Sequence, residues 1–129
     1  MTVVDGSVAV AALVDEGREG RWARELLAES VVIAPHLLPV EVTQTLRRLV
    51  RARSLSADVA ALALEDLSDL AIPLHEFGPH TDRVWELRDT VTAYDAWHVA
   101  LAESFEVPLA TLDRKLVKAR GPRCEFRMP

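Results

Sequence analysis

TAYDAWHVALAE, Thr92 to Glu103, is the stretch whose reading decides the fold. At a helical period, Tyr94, Trp97, His98, Leu101 and, just beyond, Phe105 form a stripe of large side chains. Ala93, Ala96, Val99, Ala100 and Ala102 form a smooth small face. A helix that is apolar on every side is normally buried, and alanines let its back lie close to a neighbour. The stretch therefore predicts a central helix with one carboxylate, Asp95, in its first turn. Taken alone, Asp95 has a plain structural explanation: Thr92-x-x-Asp95 fits a capping box, and acids favour a first helical turn.

Working outward, Val107 to Thr111 reads as a buried strand, and Asp113 can cap a helix from Arg114 to Ala119. Cys124 to Met128 reads as a final strand. Upstream, Thr81 to Arg88 is a short helix, and Ala71 to Phe77 a strand placed at a sheet edge by Pro73. Ser56 can cap another helix, with Val59, Leu62, Leu64 and Leu67 inside. Pro39 opens another, with Leu38, Val42, Leu46, Leu49 and Val50 on its apolar face, ending near Arg53. Val31 to Ile33 is an apolar strand. Trp22, Ala23, Leu26 and Leu27 repeat at helical spacing through Glu29. Thr2 to Val4 is the first strand, with Ser7 capping a helix over Val8 to Val14. Apolar strands that alternate with helices predict an α/β fold: a mostly parallel sheet covered on both faces, three layers in all. Ligands in such sheets bind outside the carboxyl ends of the strands.

The chain of 129 residues suits one domain spanning 1–129, and its 50% hydrophobic content suits a real core. The single Cys124 makes neither an internal disulfide nor a zinc site, which suits a reducing cytoplasm. No apolar run approaches the roughly 18 residues of a membrane span, so no membrane association is expected. The net charge of −5 argues against a generally basic nucleic-acid coat. Bases do gather at the end of the chain, where Arg114, Lys115, Lys118, Arg120, Arg123 and Arg127 outnumber Asp113 and Glu125.

On this frame Asp5 ends the first strand and Asp113 follows the strand ending at Thr111. Asp95 begins the central helix, and Glu41 lies in the first turn of the helix opened by Pro39. All belong at the carboxyl edge of the sheet. Each has a local explanation as a turn former, a cap or a partner for the helix dipole. Together these explanations fare worse, because converging like charges raise one another's pKa unless a cation offsets them. Hard oxygen ligands select Mg²⁺ or Mn²⁺ over zinc. A magnesium ion in such a pocket can hold a phosphate and prepare a water for in-line attack.

VVDGS, APHLLPVEVTQTLRRLV, TAYDAWHVALAE and PLATLDRKL, taken in order, resemble a PIN domain, with the nearest likeness to VapC-type toxins. These are the ribonuclease half of bacterial type II toxin–antitoxin pairs. The likeness runs in register over nearly the whole chain. It implies a parallel sheet of about five strands, Mg²⁺- or Mn²⁺-dependent RNA cleavage, homodimers, and inhibition by a co-encoded VapB-type antitoxin. The family's acidic site maps onto Asp5, Glu41, Asp95 and Asp113, as catalytic and metal-binding residues. Gly6 stands where Ala or Thr is more usual, a departure expected to affect the turn and not the chemistry.

Ser7 and Thr111 are hydroxyls beside site carboxylates, suited to orienting metal-bound water or phosphate, or to simple capping. Glu41, Gln44, Arg48 and Arg51 form one polar stripe. Arg48 and Arg51, helped by Arg114 and Lys115, are candidates for holding RNA phosphates. His98 and the tryptophans read as core. A non-catalytic PIN-like module that binds RNA or a partner is the alternative, and the intact set of acids argues against it. A phosphoacceptor domain wants paired acids after the first strand, where Asp5 stands alone. DNA-structure nucleases of the wider group generally carry large insertions, for which this chain has no room.

Overall fold

Five short strands and the helices between them are described in a computed structural model covering residues 1–129. They run β1 (Thr2–Val4), α1 (Gly6–Val14), α2 (Arg18–Glu29), β2 (Val32–Pro35), α3 (Leu38–Arg51), α4 (Ala57–Asp69), β3 (Leu74–His75), α5 (Thr81–Glu86), α6 (Ala93–Phe105), β4 (Leu109–Ala110), α7 (Arg114–Lys118) and β5 (Phe126–Arg127). The sheet order is β3-β2-β1-β4-β5 and every pairing is parallel. Val3 is flanked by Ile33 on one side and Leu109 on the other.

The strand order dictates the layers. β1 to β3 step in one direction, and the chain then crosses back to β4 on the far side of β1. Right-handed crossovers put the helices of the two directions on opposite faces. One apolar cluster accordingly joins Val8, Leu26, Leu38, Val42 and Leu46 from α1 to α3, with Ala60 and Ala63 from α4. The other joins Val84, Leu87, Val99, Leu101 and Leu109 around α6. β1 and β4 are neighbours at the point where the order reverses, and their carboxyl ends frame the crevice that such sheets use for ligands.

Several features differ from the sequence reading. Val59, Leu62 and Leu64 of α4, expected inside, are exposed, because α4 buries its small Ala60 and Ala63 instead; Val31 lies exposed just before β2. The first helix begins at Gly6 and is capped by Asp5, whose carboxylate accepts from the Val8 amide, and not by Ser7. The large stripe of α6 is split: Tyr94 is 66% exposed and Phe105 is exposed, while His98 and Leu101 are buried along with Ala96, Val99, Ala100 and Ala102. Alanine backs allow the closer approach, so the rings pack at the margins, Trp97 edge-on to Phe77 and Phe105 edge-on to His75. Trp85 is not core either. It is 67% exposed, with the Arg88 guanidinium over its ring.

Candidate active site

The site is assembled where β1 and β4 end. Asp5 is almost fully buried and both its oxygens are engaged. Ser7 Oγ donates to Oδ1 at 2.5 Å, and Thr111 Oγ1 donates to Oδ2 at 2.5 Å. The two hydroxyls accept in turn from the next segment, Ser7 from the Leu112 amide at 3.0 Å and Thr111 from the Asp113 amide at 3.0 Å. Ser7 and Thr111 therefore stitch the end of β1 to the loop after β4 and hold the Asp5 carboxylate in one orientation. Asp113 caps α7, its Oδ1 accepting from the Lys115 and Leu116 amides, which leaves Oδ2 open.

Asp95 lies half-buried in the first turn of α6. Thr92 Oγ1 accepts from the Asp95 amide, which completes only half of a capping box, and the Asp95 carboxylate accepts no bond in return. Burial raises its pKa; the nearby His98 opposes this, and the charges of Asp113, Asp5 and Glu41 raise it further. The four acids from four elements thus feel one another.

Glu41 is seated from two sides. A methyl group at Gly6 would lie 2.8 Å from Glu41 Cβ, so glycine there is what lets α3 approach α1 so closely. Gly6 therefore bears on the chemistry and not only on the turn. On the other side His98 Nε2 lies 2.9 Å from Glu41 Oε1. His98 is fully buried, and its Nδ1 is 2.9 Å from the Tyr94 carbonyl. A carbonyl only accepts, so Nδ1 carries a hydrogen. With a single ring proton, Nε2 and Oε1 would face each other as buried, unpartnered acceptors. A second ring proton turns the contact into a charge-assisted bond. Burial pulls the His98 pKa down, but the bond to Glu41, the charges of Glu41 and Asp5 and the Tyr94 carbonyl leave it above the ordinary histidine value. Sequence reasoning placed His98 in the core and missed this bond. The available signal was its position one turn after Asp95 on the same helix.

Arg48, Arg51, Arg114 and Lys115 are all exposed, and Arg48 donates only to Thr45 Oγ1 at 3.3 Å. They are free to meet a ligand. No three His, Cys, Asp or Glu side chains are gathered tightly enough to close a metal cage. The open oxygens of Asp95, Asp113 and Glu41 are nevertheless hard donors of the kind Mg²⁺ takes. That ion keeps several waters and needs only one or two carboxylates from the protein. The donor set fits such a cation.

The PIN domain family profile matches residues 2–122. Ribonuclease VapC1 of Mycobacterium tuberculosis is 42% identical over 98% of this chain and 96% of its own length. Among solved structures, FitAcB from Neisseria gonorrhoeae superposes with a TM-score of 0.71 at 18% identity, covering 98% of this chain and 96% of the other. Mycobacterium tuberculosis VapC20, described as a Sarcin-Ricin loop cleaving toxin, gives a TM-score of 0.69 at 16% identity, over 92% of this chain and 94% of that one.

Proposed function

This chain belongs to the PIN-domain family, and from that premise we propose that it is a toxin of a type II toxin–antitoxin pair. It acts as an endoribonuclease that hydrolyses RNA phosphodiester bonds with a divalent cation, Mg²⁺ or Mn²⁺. The observation that carries the reading is the meeting of Asp5, Glu41, Asp95 and Asp113 where the strand order reverses, with Asp95 driven toward protonation by burial and by the other acids. A fold keeps such repulsion where a cation offsets it. One or two of Asp95, Asp113 and the free oxygen of Glu41 would hold the ion directly, and the others would reach it through its waters. Asp5, fixed by Ser7 and Thr111, can accept from and orient a water beside it. The bound cation supplies Lewis acidity toward phosphate and a water of lowered pKa. Water oxygen bonds to phosphorus as it gives up a proton to solvent, the bond from phosphorus to the leaving sugar oxygen breaks, and that oxygen takes up a proton.

Arg48, Arg51, Arg114 and Lys115 hold RNA phosphates around the acidic centre, which is how a chain of net charge −5 binds a polyanion. A VapB-type antitoxin lies in the groove of about 410 Å³ between α1, α2 and α3, lined by Val10, Ala11, Val14, Leu49 and Leu55 and also by Ser7. An amphipathic helix fits such a groove. A basic residue beyond it would pair with the acids in place of the cation. The protein works as a homodimer of single-domain chains in the cytoplasm; no helix is long and apolar enough to cross a membrane. The test is RNA cleavage by protein purified free of other nucleases. Activity should vanish in EDTA and return with Mg²⁺ or Mn²⁺. Full activity in EDTA refutes the metal reading, and RNA binding without cleavage under any metal supports a non-catalytic module instead.

A further inference from the structure

Glu41 is the one acid of the site with an ion-pair partner among the side chains. It projects from α3, on the α1–α4 face of the sheet, while His98 belongs to α6 on the opposite face. Their 2.9 Å contact therefore passes over the carboxyl edge and joins the two layers at the site. The ring cannot swivel, because it is fully buried and Nδ1 is tied to the Tyr94 carbonyl one turn back. On the other side the Glu41 side chain lies along Gly6, where an added Cβ would be 2.8 Å from its Cβ and 3.6 Å from Oε1; Oε1 itself is taken by His98. Oε2 is the oxygen left for a ligand. Second-layer partners of metal-binding carboxylates act in this way, fixing which oxygen faces the ion.

We propose that His98 is a positioning residue of the reaction: anchored on Tyr94, it holds Glu41 Oε1 so that Oε2 alone is presented to the cation and the phosphate. The role rests on the ribonuclease reading, but the pairing itself does not.

His98→Asn keeps a donor where Nδ1 stood and cannot reach Glu41. His98→Gln places an amide N–H close to the position of Nε2. Mn²⁺ binding to the metal-free protein and steady-state RNA cleavage are read for both variants, alone and combined with Glu41→Gln. Loss of a second-layer partner typically weakens metal affinity or activity about 10- to 100-fold. His98→Asn should show that loss in Mn²⁺ affinity and kcat with KM for RNA little changed, and His98→Gln should recover most of it. In the Glu41→Gln background both substitutions should have no further effect. Wild-type Mn²⁺ affinity in His98→Asn, or an equal loss in the Glu41→Gln background, overturns the proposal. A second arm needs neither metal, RNA nor any change at His98. In proton NMR of the metal-free protein, the Nε2 hydrogen of His98 should appear as a downfield, solvent-protected resonance that moves upfield in Glu41→Gln. An unchanged resonance overturns the pairing, even if the protein proves not to cut RNA. A shifted resonance in a protein that neither binds Mn²⁺ nor cuts RNA would sustain the pairing and refute the ribonuclease reading.

Discussion

Replacing Gly6 with alanine should loosen the site from its back wall. Alanine in a helix is favoured over glycine by roughly 0.5–1 kcal/mol, so in open space the substitution stabilises. Here the new methyl carbon would meet Glu41 Cβ at 2.8 Å. Relief to an ordinary contact needs a retreat on the order of half an ångström. The obstructing atom is fixed to the backbone, so no flexible side-chain tip can swing away, and α3 itself must move. That helix is locked by Leu38, Val42 and Leu46, all buried. Overpacking of this kind costs about 1–3 kcal/mol. Subtracting the helix gain leaves Gly6→Ala less stable by up to about 2.5 kcal/mol, a fall in Tm of up to roughly 10 °C for a chain of this size. The same retreat would shift Glu41 out of its 2.9 Å register with His98 and weaken Mn²⁺ binding. Gly78→Ala is the internal control, because a methyl group there meets nothing within 4 Å. Urea denaturation of the three proteins, with Mn²⁺ titration of each, decides the matter. If Gly6→Ala is as stable as Gly78→Ala and binds Mn²⁺ like the wild type, the close approach of α3 to α1 at Glu41 is wrong.

Asp95→Asn should make the metal-free protein more stable while removing the stabilisation by Mn²⁺, which in the wild type is worth about 2.7 kcal/mol at a hundredfold excess over Kd. Paired thermal melts with and without Mn²⁺ read both effects. Because the folded-state pKa of Asp95 lies above the ordinary carboxylate value, its ionisation weakens the metal-free fold as pH rises from the unfolded pKa through the folded one. That part of the pH–stability slope should be missing in Asp95→Asn, whereas wild-type Mn²⁺ affinity should fall as pH drops through the same range. Thr111→Val leaves Asp5 Oδ2 and the Asp113 amide without their shared hydroxyl; it should cost about 1–3 kcal/mol in urea denaturation and lower RNA cleavage, with Thr111→Ser recovering most of both. Arg48→Ala and Arg51→Ala should raise KM for RNA, leave kcat nearly unchanged, and each lower the slope of log affinity against log salt by about 0.7.

The secondary elements and the edge that carries the acids were legible in the sequence, for a physical reason. Local periodicity marks helices and strands, and in a parallel sheet every strand ends at the same edge. An acid just after a strand or just inside the following helix is therefore carried there, whatever the strand order. Asp5, Glu41 and Asp113 follow this rule, whereas α5 stands between β3 and the helix that carries Asp95. The order β3-β2-β1-β4-β5, which makes β1 and β4 the pair that opens the crevice, depends on contacts between distant segments and was visible only in the fold. So was the outward turn of Tyr94 and Phe105, because a helix that is apolar all round does not encode which side meets the sheet; the closer packing allowed by its alanines decides that. His98 shows the same limit. Its type and helical position fit an ordinary core residue, and only when α3 is brought over the sheet edge, with Gly6 leaving room for it, does its ring meet the Glu41 carboxylate.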